Sequence, residues 1–159
     1  LLLLIARNGA FSADAPPSPE LALPALAQEN AAMLYAKLAA AEAGGDFSPG
    51  MTTFAEFALG HLDRWFVSRT EPVIKPFVVA LTARSLIKYR ERTGDPRVIP
   101  ALALAADRIW NELWVAEAQA FRYASVDSAA DPNAPLTREP SPDLNLLIAP
   151  LYGYLYHVT

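Results

Sequence analysis

The chain has 159 residues, of which 53% are hydrophobic and 19% charged, a balance typical of a folded globular protein rather than a disordered one. It contains no cysteine, which excludes a disulfide framework and a thiolate metal site within these residues. Its net charge is −4, and the ten lysines and arginines between residues 61 and 122 are interleaved with seven acidic residues, so we predict no nucleic-acid partner.

The first residues form a short apolar run, Leu1 to Ala6, followed at once by Arg7. This run is too short for a membrane span and lacks the basic leader of a complete signal peptide. We therefore predict no membrane span, and we expect the tail of a helix or strand whose beginning precedes Leu1. The sequence is compatible with a cytoplasmic, a periplasmic or a secreted protein. A periplasmic or secreted location is favoured.

Hydrophobic periodicity predicts five helices in chain order, over residues 28–43, 52–68, 76–92, 97–114 and 144–158. The second and fourth carry one apolar stripe opposite polar residues, as amphipathic helices do. The other three are Ala-rich or apolar on nearly all sides, which predicts burial all round. This alternation indicates an all-α fold in two layers, and Asp95 with Pro96 is predicted to cap the start of the fourth helix.

The connections between these helices also alternate in length. A short turn carries Gly94 and Asp95, and a similar pair, Gly45 and Asp46, follows the first helix, whereas residues 115–142 form a long Pro-rich loop. Long loops in compact domains are disproportionately functional. A functional site is therefore predicted at the end of the array that carries the long loop.

The chain also contains an internal repeat. An offset of 115 residues superposes Asn30 on Asn145, each at the start of a buried helix, and a short extended piece centred on Phe11 or Phe121 precedes each of them. Each extended piece is followed by prolines. The repeat therefore includes loop features as well as helices.

Three stretches carry a resemblance to a known superfamily. They are Asn145 to Pro150 with Tyr152 to Tyr156, Tyr89 to Asp95, and Asp107 to Trp114 followed by Phe121-Arg-Tyr. They resemble the six-hairpin, or (α/α)6, toroids, in which inner and outer helices alternate around a ring. The resemblance covers most of residues 28–159, about two and a half of six hairpins, so residues 1–159 are expected to be one domain or a fragment of one, with the remainder of the toroid missing.

The resemblance implies a carbohydrate-active protein, either a glycoside hydrolase or a polysaccharide lyase, with its site at the mouth formed by the inner-helix N-termini and the long loops. Glycan hydrolysis needs two carboxylates across the scissile bond, and Asp143 and Glu117 are the predicted pair. For Asp143 the competing interpretation is a charge that favours the helix dipole. The same mouth includes residues 28–30 and further loop acids, Asp127, Asp131 and Glu139. The predicted substrate contacts are Asn30, Lys75, Trp114, Tyr123 and Asn145.

Other residue types favour structural roles. His61 lies on an apolar stripe and is predicted to be a buried, hydrogen-bonded core residue, and Trp65 shares that stripe. Arg84 is predicted to be buried and paired, and Arg108 with Glu112 to form an exposed pair. The sequence has no metal-ligand pattern and no cofactor motif, so neither is expected. The alternative function is a helical scaffold or protein-interaction domain without catalysis.

Overall fold

The computed structural model of the protein describes residues 17–44, 50–128 and 136–159. Within these ranges the chain is all-α apart from one two-stranded hairpin, which confirms the predicted fold class. The helix bounds lie within two residues of the predicted ones. The helices are α1 (Ala27–Glu42), α2 (Met51–Phe66), α3 (Pro76–Thr93), α4 (Val98–Leu113) and α5 (Asn145–Val158), and the strands are β1 (Trp114–Val115) and β2 (Ala120–Phe121).

The bounds of α3 follow from residues with restricted or unusual backbone preferences. Pro76 occupies the first turn, where its missing N–H leaves no helical hydrogen bond unmade. Gly94 ends the helix at φ +74°, a left-handed conformation that favours glycine, and its N–H donates to the Arg90 carbonyl at 2.7 Å. The predicted Gly94-Asp95 turn therefore ends α3 at its C-terminus.

The start of α4 lies slightly later than predicted. The helix begins at Val98, and Asp95 Oδ1 accepts a hydrogen bond of 2.9 Å from the Arg97 N–H in the preceding turn. The Arg97 guanidinium also binds this carboxylate and holds the pKa of Asp95 below its usual value. Asp95 thus shapes the turn rather than capping the first residue of the helix.

The helices form two layers. In the first layer α3 lies between α1 and α5 and packs against both, and in the second layer α2 and α4 pack side by side. Helix α2 also packs on α1 and α3, and α4 packs on α3 and α5. The core lies between the layers and is built from buried leucine, valine, isoleucine, alanine and aromatic side chains. The alternation seen in the sequence therefore corresponds to these two layers.

Polar side chains join the helices of the first layer. Lys88 of α3 donates to Glu42 of α1, and Arg90 of α3 donates to the Tyr154 hydroxyl of α5 at 3.0 Å. Arg84 was predicted to be buried, which is wrong: it is exposed, lies 4.7 Å from the centre of the Tyr35 ring and donates to its hydroxyl. It still joins α1 to α3, because the long side chain reaches across the surface of the layer.

Helix α5 differs from its prediction. The sequence predicted burial on all sides, but only Ile148 and Leu151 are buried, whereas Leu146 is 82% and Tyr156 90% exposed. The physical reason is that the described residues place neighbours, α3 and α4, on one side of α5 only.

In the described parts of the chain, none of the helices has the length and apolar content that a membrane crossing requires.

The long loop is partly ordered by backbone pairing. β1 and β2 form an antiparallel hairpin directly after α4, which confirms the extended piece predicted around Phe121. The loop then returns to the first layer, where the Ser125 N–H donates to the Ile74 carbonyl at 2.8 Å just before α3. The predicted features at Leu1 to Ala6, Phe11, Gly45 with Asp46, and Asp131 lie outside the described residues.

Candidate functional site

A cleft of about 440 Å³ opens where α1 and α3 begin. Gln28 and Glu29 reach it from the first turn of α1, and Lys75 borders it immediately before α3. Trp65, from the end of α2, and Leu136, from the long loop, complete two of its sides. The cleft therefore lies at the end of the array that the sequence predicted to be functional, and Lys75, one of the predicted substrate contacts, lines it.

One wall of the cleft is the segment that joins α2 to α3, which contributes Glu71 and Val73. The Glu71 carboxylate accepts a hydrogen bond of 3.3 Å from the Val73 N–H. Ser125 of the long loop fixes the same segment, because its hydroxyl donates to the Pro72 carbonyl at 2.9 Å and accepts from the Ile74 N–H at 2.8 Å. The long loop thus holds the wall that carries Glu71 in place.

Two carboxylates and one ammonium group therefore share a cleft with apolar surface from Trp65, Val73 and Val78. Alternating polar and apolar lining of this kind suits a small ligand that has both hydroxyl groups and C–H faces. Sequence reasoning placed residues 28–30, and so Glu29, at this end of the array, but it did not single out Glu71. The available signal for Glu71 was position, since it lies four residues before Lys75.

Several buried polar atoms of α1 and α2 have no hydrogen-bond partner among the described residues. Asn30 is fully buried, and its Nδ2 donates to the Phe54 carbonyl at 3.0 Å while its Oδ1 has no partner among the described residues. The Trp65 Nε1 and both ring nitrogens of His61 also lack one, and the two rings lie 6.0 Å apart. Each such group costs about 1–3 kcal/mol, and costs of this kind are typical of functional regions.

His61 is buried as predicted, but neither ring nitrogen has a well-formed hydrogen bond among the described residues. Burial removes water from the imidazole and lowers the pKa of His61 to about 4. The backbone around Leu21 and Ala22 lies against the ring and offsets part of this shift. His61 is consequently neutral near pH 7, and it does not line the cleft.

Asn145, a predicted substrate contact, is engaged by the hairpin. Its Oδ1 accepts from the Phe121 N–H at 3.2 Å and its Nδ2 donates to the Gln119 carbonyl at 2.8 Å. Gln119 has φ +48°, an uncommon backbone conformation for a residue other than glycine. Asn145 therefore ties the hairpin turn to the start of α5.

We expect Asn145→Ala to lower the free energy of unfolding by about 1–3 kcal/mol, because the Phe121 N–H and the Gln119 carbonyl lose their partner. Urea denaturation followed by circular dichroism measures this change. The matched control is Asn111→Ala, an exposed position on α4, for which a change within about 0.5 kcal/mol is expected. Equal stability of the two variants would contradict the structural role of Asn145.

The two predicted catalytic carboxylates lie outside the cleft lining. Glu117 is exposed in the turn between β1 and β2, and Asp143 is exposed in the helical turn Pro142–Leu144 before α5. The Asn145 side chain links these two segments, because it starts α5 and binds Gln119. Their catalytic role stays a prediction.

The predicted aromatic contacts have ring partners. Trp114 stacks on Trp110 with ring centres 4.7 Å apart, and it packs edge-on against Phe121 at 5.0 Å. Tyr123 lies 5.5 Å from the Phe77 ring at the start of α3. Asn30 is fully buried and does not line the cleft. Of the predicted contacts, Lys75 is therefore the one that lines the cleft.

No cluster of three or more histidine, cysteine or acidic side chains suited to a metal ion occurs in residues 17–44, 50–128 and 136–159. The exposed pair Arg108 and Glu112 is present as predicted, although Glu112 binds Arg69 more closely, at 2.6 Å.

Neither a protein-family model, nor a curated protein, nor a solved structure matches the chain. Function is therefore inferred from the chain's own residues.

Proposed function

We propose that this chain is part of an α/α toroid that binds a glycan in the cleft at the start of α1 and α3, and that the protein is a glycoside hydrolase or polysaccharide lyase. The observation that carries the proposal is the cleft itself, whose lining includes Glu29, Glu71 and Lys75 together with Trp65. Hydroxyl groups of a sugar match the charged groups, and the C–H face of a sugar matches the apolar lining. The inner and outer alternation of helices supports the toroid arrangement.

Within this proposal Glu29 and Glu71 are the carboxylates that face the glycan, since hydrolysis of a glycosidic bond needs two acidic groups near the scissile bond. Lys75 supplies a positive charge for a hydroxyl or an anionic sugar substituent. Asp143 and Glu117 remain candidates for a second part of the mouth, because the long loop lies at the same end of the array.

The proposal is tested by binding and turnover of a panel of neutral and uronate-containing oligosaccharides, measured by calorimetry and by release of reducing ends. For an oligosaccharide that binds, we expect Glu71→Gln to weaken binding at least tenfold, which is about 1.4 kcal/mol. The matched control is Glu91→Gln, the same change at an exposed position near the C-terminal end of α3 and outside the cleft lining. Glu117→Gln and Asp143→Asn test the long loop.

Three outcomes separate the candidates. Loss of binding in the Glu71 variant alone supports the cleft, whereas loss in Glu117→Gln or Asp143→Asn alone moves the site to the long loop. If no oligosaccharide in the panel binds or is cleaved, the glycan proposal is wrong. The second candidate, a helical scaffold for a protein partner, is favoured by the exposed apolar residues of α5, and a protein that co-purifies stably would support it.

A further inference from the structure

One border of the cleft is formed by a short segment that precedes α1. Residues 19–26 make two short helical turns, Pro19–Ala22 and Pro24–Leu26, and we call these residues the strap. The first turn packs on α2 and α1. The second turn brings Pro24 and Ala25 to the cleft, where they form part of its lining. The position of the strap therefore determines how far this side of the cleft is closed.

Few interactions hold the strap against the helices. None of its residues is fully buried, and Leu21 packs partly buried against the core. Its backbone N–H groups donate within the strap or to Ser18. Among the described residues one hydrogen bond joins it to a helix, because the Arg64 guanidinium of α2 donates to the Ala22 carbonyl at 3.0 Å. A segment with so few tertiary contacts opens at a lower free energy than the helices do.

The strap covers the ring of His61 in α2. His61 is fully buried, and the backbone of Leu21, Ala22 and Leu23 lies against its ring. Neither ring nitrogen has a hydrogen-bond partner among the described residues. The imidazole also lies 6.0 Å from the ring of Trp65, which lines the cleft. A change of charge at His61 therefore acts on the segment that borders the cleft.

The surroundings of His61 disfavour its protonated form. Burial removes water and lowers the pKa of His61 to about 4, and the positive charge of Arg64 acts in the same direction. Glu20, the carboxylate of the strap, is exposed. The helices packed on α2 are α1, α3 and α4, and none of the ion pairs within residues 17–44, 50–128 and 136–159 includes His61. In these parts of the chain, no carboxylate therefore pairs with a protonated ring.

We propose that the strap is an acid-responsive gate of the cleft, which closes over neutral His61 and opens when the imidazole takes up a proton from solvent. Opening returns the charged ring to water and carries Pro24 and Ala25 away from the cleft lining. As a control of ligand entry the gate rests on the proposed function, whereas the movement itself requires no glycan.

The size of the effect follows from the two states of the imidazole. An open strap gives His61 its ordinary pKa of 6.5, whereas the closed strap holds the pKa at about 4. The closed form is therefore fully favoured above pH 6.5 and loses this advantage as the pH falls to 4. Over this range opening becomes about 300-fold more favourable.

Hydrogen exchange of the full-length protein, without glycan, measures the opening. Mass spectrometry gives a protection factor, the ratio of the intrinsic to the observed exchange rate at the same pH, for the strap and for α4. We expect the protection factor of the strap to be lower than that of α4 at every pH. Between pH 6.5 and pH 4 we expect it to fall about 300-fold, or to one if it starts below that value.

Two variants and a control separate the proton from the anchor. His61→Gln is expected to keep the protection of the strap nearly constant over this pH range, and the control His157→Gln, at the exposed histidine of α5, to keep the full decline. Arg64→Met removes the hydrogen bond to the Ala22 carbonyl, so we expect it to lower the protection of the strap at pH 7 about tenfold and to keep the decline in acid. This variant tests the gate even if His61→Gln does not fold.

Four results would overturn the proposal. A strap as protected as α4 would open only when the whole protein unfolds, and a strap without protection at pH 7 would be open without a proton. Protection that stays constant or rises in acid would show that the proton does not open the strap. An equal decline in the parent and His61→Gln would show that another group is responsible. Because no measurement involves an oligosaccharide, these results are independent of whether the cleft binds a glycan.

Discussion

Replacing Phe54 by alanine is expected to lower the free energy of unfolding by about 3–5 kcal/mol, a large fraction of the stability of a domain of this size. Phe54 is 1% exposed and lies in α2, where it faces α1. Its ring lies 5.7 Å from the Lys37 ammonium, and its carbonyl accepts from Asn30. Truncation removes the apolar contacts of the ring and leaves a cavity between the two helices.

The measurement is urea denaturation of the parent and variant, with the slope of the transition compared to confirm that both unfold in the same way. Phe57→Ala is the matched control, because Phe57 lies on the same helix but is only half-buried, and we expect it to lose at most about half as much. Equal losses would contradict the central position of Phe54.

His61 is expected to make the protein less stable in acid. Its pKa in the folded protein is about 4, against an ordinary value of 6.5. Below pH 6.5 the unfolded chain takes up a proton at this histidine and the folded protein does not, so the free energy of unfolding falls as the pH falls from 6.5 to 4. The difference of 2.5 pH units corresponds to a loss of roughly 3 kcal/mol, with no further loss from this group below pH 4.

This prediction is checked by urea denaturation at a series of pH values between 4 and 7 for the parent, His61→Gln and His157→Gln. Carboxylates also contribute to acid unfolding, but their contribution cancels in the difference between parent and variant. We expect His61→Gln to remove most of the decline and His157→Gln, which changes the exposed histidine of α5, to keep it. A decline of equal size in the parent and His61→Gln would show that the buried imidazole is not its source.

Local sequence patterns were sufficient to predict the helices, because the spacing of apolar residues and the residues at the helix ends act within a single helix. Pro76 and Gly94 determined the limits of α3 through their own backbone preferences. The alternation of amphipathic and apolar helices gave the two layers, since each apolar face must be buried against another element. The correspondence of Asn30 and Asn145 was also visible in the sequence. The different hydrogen-bond partners of the two side chains were not.

Tertiary structure decided which side chains share the cleft, since Glu29 comes from α1, Trp65 from the end of α2, and Glu71 and Lys75 from the segment before α3. It also decided that Asn145 binds the hairpin and that half of α5 is exposed. The sequence by itself therefore determined the elements, their order and the end of the array at which the cleft lies. It did not determine which carboxylates meet there, because that depends on how α1, α2 and the Ser125-bound segment pack against one another.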